Sequence, residues 1–265
     1  MNAKPLSATI RSVGLIGPGF DNWPEARAVL AGDVPWSPVA TRIPSPGVLP
    51  PAERRRVGAV VKLALCAGVE AVDAAGADAS RLATVFASAG GDGANCHAIC
   101  EALASDDRRI SPTRFHNSVN NAASGYWGIA TGAMATSTII SSYDGSLAAG
   151  LIEALALAHE LAQPVLLLVY DHPYPEPLAA ARQVSDAFAM ALLLDPRGND
   201  APRLQLGELC DAAADTLPDA EMDAVRSGTP AARGLPLLAL LAQGRSGKVV
   251  IDYLDDLRLE LSLSA

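Results

Sequence analysis

The run Val165–Tyr170, VLLLVY, constrains the fold more than any other stretch of this chain. It is apolar throughout, with no alternation, so a strand formed there has no face to offer water. It must lie inside a sheet covered by helices on both sides. The segments before it supply the cover in a regular order. Arg81–Ser88 reads as a strand and Cys96–Ala104 as a helix. A further helix is expected over Ser118–Thr131, a strand over Ser137–Ser142 and a helix over Ser146–Leu161. This order predicts an α/β layered domain with a βαβαβ core and a mixed, largely parallel sheet. Alanine and leucine dominate and aromatics make up only 5% of the chain, which suits close helix-on-sheet packing.

Outside that core, Ser7–Ile16 is expected as a strand ending in the turn GLIGPGF, and Trp23–Ala31 as a helix. The connection VPWSPVATRIPSPGVLPP holds too much proline for a helix or a central strand. Glu53–Ala75 carries the longest helical pattern, and Phe188–Leu194 reads as a further strand. Pro196–Gly234 is polar and ambiguous. Leu235–Leu241 is expected as a short helix, and VVIDYLDDLRLELSL as two strands around an Asp-Asp turn. There is no internal repeat, and one domain over residues 1–265 is expected.

The net charge of −9 argues against nucleic acid or an anionic membrane surface as partner. No apolar run approaches the ~20 residues of a membrane span. The start MNAKPLSATIRSVG has no continuous apolar core of a secretory signal. Four irregularly spaced cysteines do not make a disulfide framework, so a reduced, cytoplasmic protein is expected.

Four features could carry chemistry. The loop AGGDGAN, with Gly90 and Gly93, lacks both the G-x-G-x-x-G pattern and a Walker lysine, and Asp92 would oppose a phosphate; a tight turn is the better account. Cys96 and Cys100 share a helix face beside His97, but the further ligands zinc needs are missing, so small buried thiols are expected and no metal or cofactor. His97, His116, His159 and His172 are scattered, without a nucleophile elbow motif to serve, although His116 could line a cleft. Last comes TIISSYDGSLAAGLIEALALA from Thr138: a strand, a sharp corner and a helix, with Asp144 at the corner. Its carboxylate is expected to cap the helix by accepting backbone N–H bonds.

The stretch ISPTRFHNSVNNAASGYWGIATGAMATSTIISSYD, Ile110 to Asp144, resembles the segment leading into the active site of β-ketoacyl-acyl-carrier-protein synthases. Ser111-Pro112, Asn121, Ser124-Gly125 and Gly132 fall on that family's landmarks, and Asp144 falls where the synthases carry their cysteine at the end of S-T-A-C. VYDHPYPEPL followed by SDAFAMALLL is similar to the synthase-like chain length factors of aryl polyene pathways. The resemblance covers about residues 8–195 and implies a thiolase-like half-domain, with residues 196–265 as an extension of open structure.

The resemblance implies a synthase thiolate that accepts the acyl chain, and histidines from a second half-domain. Asp144 can form no thioester, and 265 residues leave no room for that half-domain, so no catalytic residue is expected. The implied role is a chain length factor paired as a heterodimer with an active synthase, meeting the acyl carrier protein only through the complex. The implied contacts with the partner or its acyl tunnel are Asn120, Asn121, Tyr126, Trp127, Ser137, Thr138, Ile139, Ile140, Ser141, Ser142 and Tyr143. Two alternatives stay open: a hydrolase or acyltransferase using Asp144, Tyr143 and His116, and a homodimeric acyl-binding protein.

Overall fold

The computed structural model describes residues 5–199 and 202–265. The chain enters through β1 (Ser7–Ile16) and continues into α1 (Trp23–Ala31), α2 (Pro51–Arg54) and α3 (Ala59–Ala75). Then come β2 (Ala83–Ala87), α4 (Gly93–Ala104), α5 (Pro112–Asn117), α6 (Ala122–Thr131), β3 (Ser137–Ile140) and α7 (Ser146–Leu161). Next are β4 (Val165–Asp171), the single turn α8 (Leu178–Ala181) and β5 (Phe188–Asp195). The C-terminal part adds β6 (Arg203–Cys210), α9 (Ala220–Gly228), a 3-10 turn (Pro230–Gly234), α10 (Leu235–Ala242), β7 (Gly247–Asp252) and β8 (Arg258–Ser264).

The eight strands of the described residues form one sheet in the order β3-β2-β4-β5-β1-β6-β8-β7. β4 lies inside it and is buried along its whole length. Its alternate residues feed two separate cores: Val165, Leu167 and Val169 face the layer of α1, α7 and α10, whereas Leu166, Leu168 and Tyr170 face that of α3 and α6. The missing alternation in VLLLVY therefore means two-sided burial, as expected.

Strand direction follows that expectation only in part. β2 runs parallel to β3 and to β4, but the other pairings among the described residues are antiparallel. The sheet is mixed, and antiparallel pairs predominate. The β1–β2, β2–β3, β3–β4 and β6–β7 connections carry helices long enough to cross back over the sheet, whereas the β4–β5 connection holds a single helical turn. Burial on both faces does not by itself specify direction.

Three helix boundaries also differ. The pattern over Glu53–Ala75 breaks at Arg55–Gly58, where a Cβ on Gly58 would stand 2.4 Å from an Asp92 carboxylate oxygen. The helix expected over Ser118–Thr131 begins at Ala122, after the separate turns of α5 with Pro112 in its first turn. α4 starts early because Asp92 accepts from the Asn95 amide at 2.9 Å and caps it. The glycine loop is accordingly a turn, with Gly91 at φ +58.

The ambiguous C-terminal stretch continues the same sheet: β6 pairs with β1, and β8 and β7 form the expected hairpin beyond it. The two outer strands differ in kind. At β7, the Val250 amide donates to Asp215 Oδ2 at 2.7 Å and its carbonyl accepts from the Asp215 amide at 2.9 Å, while Lys248 pairs with Glu260. These features blunt that edge against further pairing. β3 is uncharged, pairs only with β2 among the described residues and stays half exposed. Among the described residues no helix is long and apolar enough to cross a membrane.

α3 packs directly on β1 at Gly14, where an added Cβ would lie 1.9 Å from the Ala67 carbonyl oxygen. Gly14→Ala must push backbone from backbone. The expected cost is about 2–3 kcal/mol, read as a fall in Tm of roughly 5–10 °C in thermal unfolding.

Candidate functional site: the elbow between β3 and α7

β3 ends at Ile140, and the chain reverses through Ser142–Gly145 into α7. The residue in left-handed backbone is Tyr143, at φ +48, a conformation that costs a non-glycine residue about 1–3 kcal/mol. Ser146 supports the turn: its Oγ accepts from the Ser142 amide at 2.9 Å and donates to the Tyr143 carbonyl at 2.7 Å. Gly145 has no room for a side chain, since a Cβ would lie 2.0 Å from the Tyr253 carbonyl oxygen. The β7–β8 turn thus sits directly on the elbow.

Asp144 does not cap α7, which corrects the expectation above: α7 starts from Gly145 with no side-chain cap. Its carboxylate is held between two guanidiniums. Arg182 Nη2 donates to Oδ1 at 2.7 Å and Arg233 Nη2 to Oδ2 at 3.0 Å, while Arg233 Nη1 reaches the Asp144 carbonyl at 3.1 Å. Charge-assisted bonds to two mostly buried arginines outweigh a single bond to a helix amide. The pairing continues outward: Asp252 takes Arg258 Nε at 3.0 Å and lies 3.8 Å from both Arg233 and Arg226. A cleft of about 820 Å³ opens here, lined by Ser142–Gly145, Arg233 and the 252–258 turn.

Arg182 also stacks its guanidinium 3.5 Å from the centroid of the Tyr143 ring, with Tyr174 at 5.9 Å. Tyr174 presses on the glycine loop; a Cβ at Gly90 would fall 1.5 Å from its hydroxyl and one at Gly93 would strike its ring. The glycines therefore admit a tyrosine rather than a phosphate. Beneath them Asp171, only 3% exposed, accepts from the Ala89 amide at 2.8 Å and the Ser88 hydroxyl at 3.1 Å. Burial pushes its carboxyl up to about 6 against those hydrogen bonds.

No thiol stands at the elbow. Burial pushes the Cys66 thiol up to about 11, and burial followed by the neighbouring Cys100 raises Cys96. Cys96 and Cys100 are exposed, not buried as expected, because α4 packs against α5 rather than entering the core. His97 pairs with Glu101 at 3.3 Å. His116 packs edge-on against Tyr126, with no hydrogen bond to Asp144 or Tyr143 among the described residues.

Of the residues expected at a partner surface, Asn120, Asn121, Ser137, Ser141 and Tyr143 are exposed, and Thr138, Ile139, Ile140 and Ser142 are half-buried. Tyr126 and Trp127 lie deeper than the others. Each is 2% exposed, Tyr126 donating to Asn117 Oδ1 at 3.0 Å and Trp127 packing where Gly68 leaves space on α3. Both belong to this chain's own core. Arg182, Arg233 and Asp252 were not anticipated. Their only trace is an arginine set among small residues, in AAARQVS and PAARGLP, where a cation needs a buried counter-charge.

A layered α/β sheet whose edge strand ends in a strained elbow before a buried helix places this protein in the thiolase-like class. The model of the family described as Beta-ketoacyl synthase, N-terminal domain, matches residues 26–253. The chain belongs to that family. Solved structures similar in fold include the ketosynthase ApeO in complex with its chain length factor ApeC from Xenorhabdus doucetiae, with TM-score 0.75, 24% identity, and 97% of this chain and 99% of that one covered. The ishigamide ketosynthase/chain length factor matches with TM-score 0.72 at 14% identity over 97% and 99%. The type II polyketide synthase complex AntDE:AntF matches with TM-score 0.74 at 13% identity over 99% and 100%. A search of curated proteins gives no match.

Asp144→Asn removes the charge that Arg182 and Arg233 share. With the carboxylate partly exposed, the expected loss is about 1–3 kcal/mol in denaturant unfolding. Asp171 gives the site a pH signature. Its folded-state pKa lies above the unfolded one, so its contribution is most favourable at low pH and is lost as pH rises from about 4 through about 6. Asp171→Asn should gain about 1–3 kcal/mol on the wild type across that interval and stay level above it. Unfolding curves at pH 4.5, 6 and 7.5 check the slope.

Proposed function

We propose that this chain is a non-catalytic chain length factor. It pairs with an active β-ketoacyl synthase along β3 and helps to shape the acyl tunnel of that partner in polyene or fatty-acid-like polyketide synthesis. The observation that carries this reading is the occupied elbow. A condensing subunit needs a thiolate there, and this chain has a carboxylate whose two oxygens are bound by Arg182 and Arg233. Asp144 occupies the position of the synthase cysteine in the ungapped correspondence, and no acyl group is transferred to it.

The contrast between the sheet edges supports the seam. β7 is blunted by Asp215 and Lys248, while β3 keeps an uncharged free edge. Along the segment that leads into it the chain leaves Phe115, Val119, Ile129 and Met134 exposed, Met134 at 95%. An open edge next to apolar side chains invites pairing, and a cognate partner satisfies it. The structures of a ketosynthase with its chain length factor that share this fold lend the pairing further weight. Because this chain carries −9, an acidic carrier protein meets the complex through the synthase rather than here. The setting is the cytoplasm.

The test is co-expression with the cognate synthase. The expected outcome is a heterodimer by native mass measurement and condensation activity above that of the synthase alone. A monodisperse monomer with no co-elution and no gain in activity would overturn the reading. A homodimer would favour an acyl-binding protein instead, and turnover by the isolated chain, lost in Asp144→Asn, would favour a hydrolase. Within the heterodimer, Met134→Asp should weaken association at least tenfold while leaving the Tm of the free chain within about 2 °C, since the side chain is solvated.

A further inference from the structure

Tyr143 combines three properties that rarely occur together. Its backbone is left-handed, the residue is 65% exposed, and its ring is nevertheless fixed in place. The other non-glycine residues with positive φ among the described residues are Arg108, in an exposed loop, and Ala162, at the end of α7. Neither presents an aromatic side chain. An exposed tyrosine on a turn would ordinarily sample several rotamers. Here Arg182 lies flat on one face at 3.5 Å, and Arg182 cannot follow the ring because Asp144 binds it at 2.7 Å and its side chain is only 15% exposed.

The clamp has further supports. Arg233 fixes the other oxygen of Asp144, and Ser146 fixes the Tyr143 carbonyl. Tyr174, seated on the glycine loop, stands on the side of Arg182. A costly backbone conformation, an ion-paired brace and a water-exposed aromatic face persist together where an external contact repays them. The position matches such a contact, because Tyr143 follows the free strand β3 by three residues and lines the 820 Å³ cleft that opens beside it.

From these observations we infer that Tyr143, braced by Arg182, is the aromatic anchor of the interface with the synthase, inserting its free ring face into an apolar socket of that partner at the end of the β3 seam. This rests on the partner-subunit reading above. Tyrosine is a residue type that dominates interface energetics, and one whose rotamer is set beforehand loses little entropy on docking. The brace is thus a positioning device: Arg182 makes no partner contact of its own and acts by holding the ring.

The inference is tested on the full-length chain paired with the cognate synthase, with affinity followed by titration and stability of the free chain followed by thermal unfolding. Tyr143→Gly relieves the left-handed strain, so the free chain should unfold at the same Tm or higher, while affinity for the synthase falls at least thirtyfold. Tyr143→Phe, which keeps the ring, should bind within about threefold of the wild type. Arg182→Gln should lower affinity through the ring alone, so that the loss vanishes in the Tyr143→Gly background. If Tyr143→Gly binds the synthase as tightly as the wild type, the anchor is overturned while the pairing stands. If the wild-type chain does not bind the synthase at all, the pairing itself has failed.

Discussion

Asp144 is the hinge pin of this structure. One carboxylate, bound by Arg182 from the β4–β5 connection and Arg233 from the 3-10 turn before α10, joins segments that are distant in sequence. Through Arg233 and Asp252 the same pairing reaches Arg226 on α9 and Arg258 on β8. Four arginines and three aspartates, Asp223 included, therefore hold the C-terminal extension against the elbow. Charges this close to the interior are tolerated because each has a counter-charge within reach. Loss of one partner leaves the other uncompensated, which is why the network behaves as a unit.

That network also decides what the elbow can do. A strand, a strained turn and a helix N-terminus form a scaffold for a nucleophile, and the scaffold is intact. At its tip stand a carboxylate paired with two arginines and a strained tyrosine, and the thiols lie elsewhere, with Cys66 and Cys96 both raised by burial. The turn holds an aromatic ring, with Arg182 over its face. The glycine loop follows the same logic, since Gly90 and Gly93 are small to receive Tyr174, which stands next to Arg182.

Much of this was legible in the residues. VLLLVY announces a strand buried on both faces, and the two cores on either side of β4 are the consequence. The limits of β1, α1 and α7 follow from local pattern, since each begins and ends at a change of polarity or at a turn residue. The resemblance to the family was carried by the motif that surrounds the elbow, and the family model matches far beyond it, over residues 26–253. What went astray shares one cause. Capping by Asp144 and buried thiols on α4 are each reasonable for the local string, and each was decided by how its segment packs in the fold.

By itself, then, the sequence determined the layered α/β class, the interior strand, and an elbow without a thiol, because hydrophobic periodicity and residue identity act over a few neighbours. Only the tertiary structure decided strand direction, the place of residues 202–265 in the sheet, and the partners of Asp144. Those depend on which arginine arrives beside which aspartate across 38 and 89 residues of chain. Coulomb attraction and burial depend on distance in space, and separation along the sequence carries no record of it.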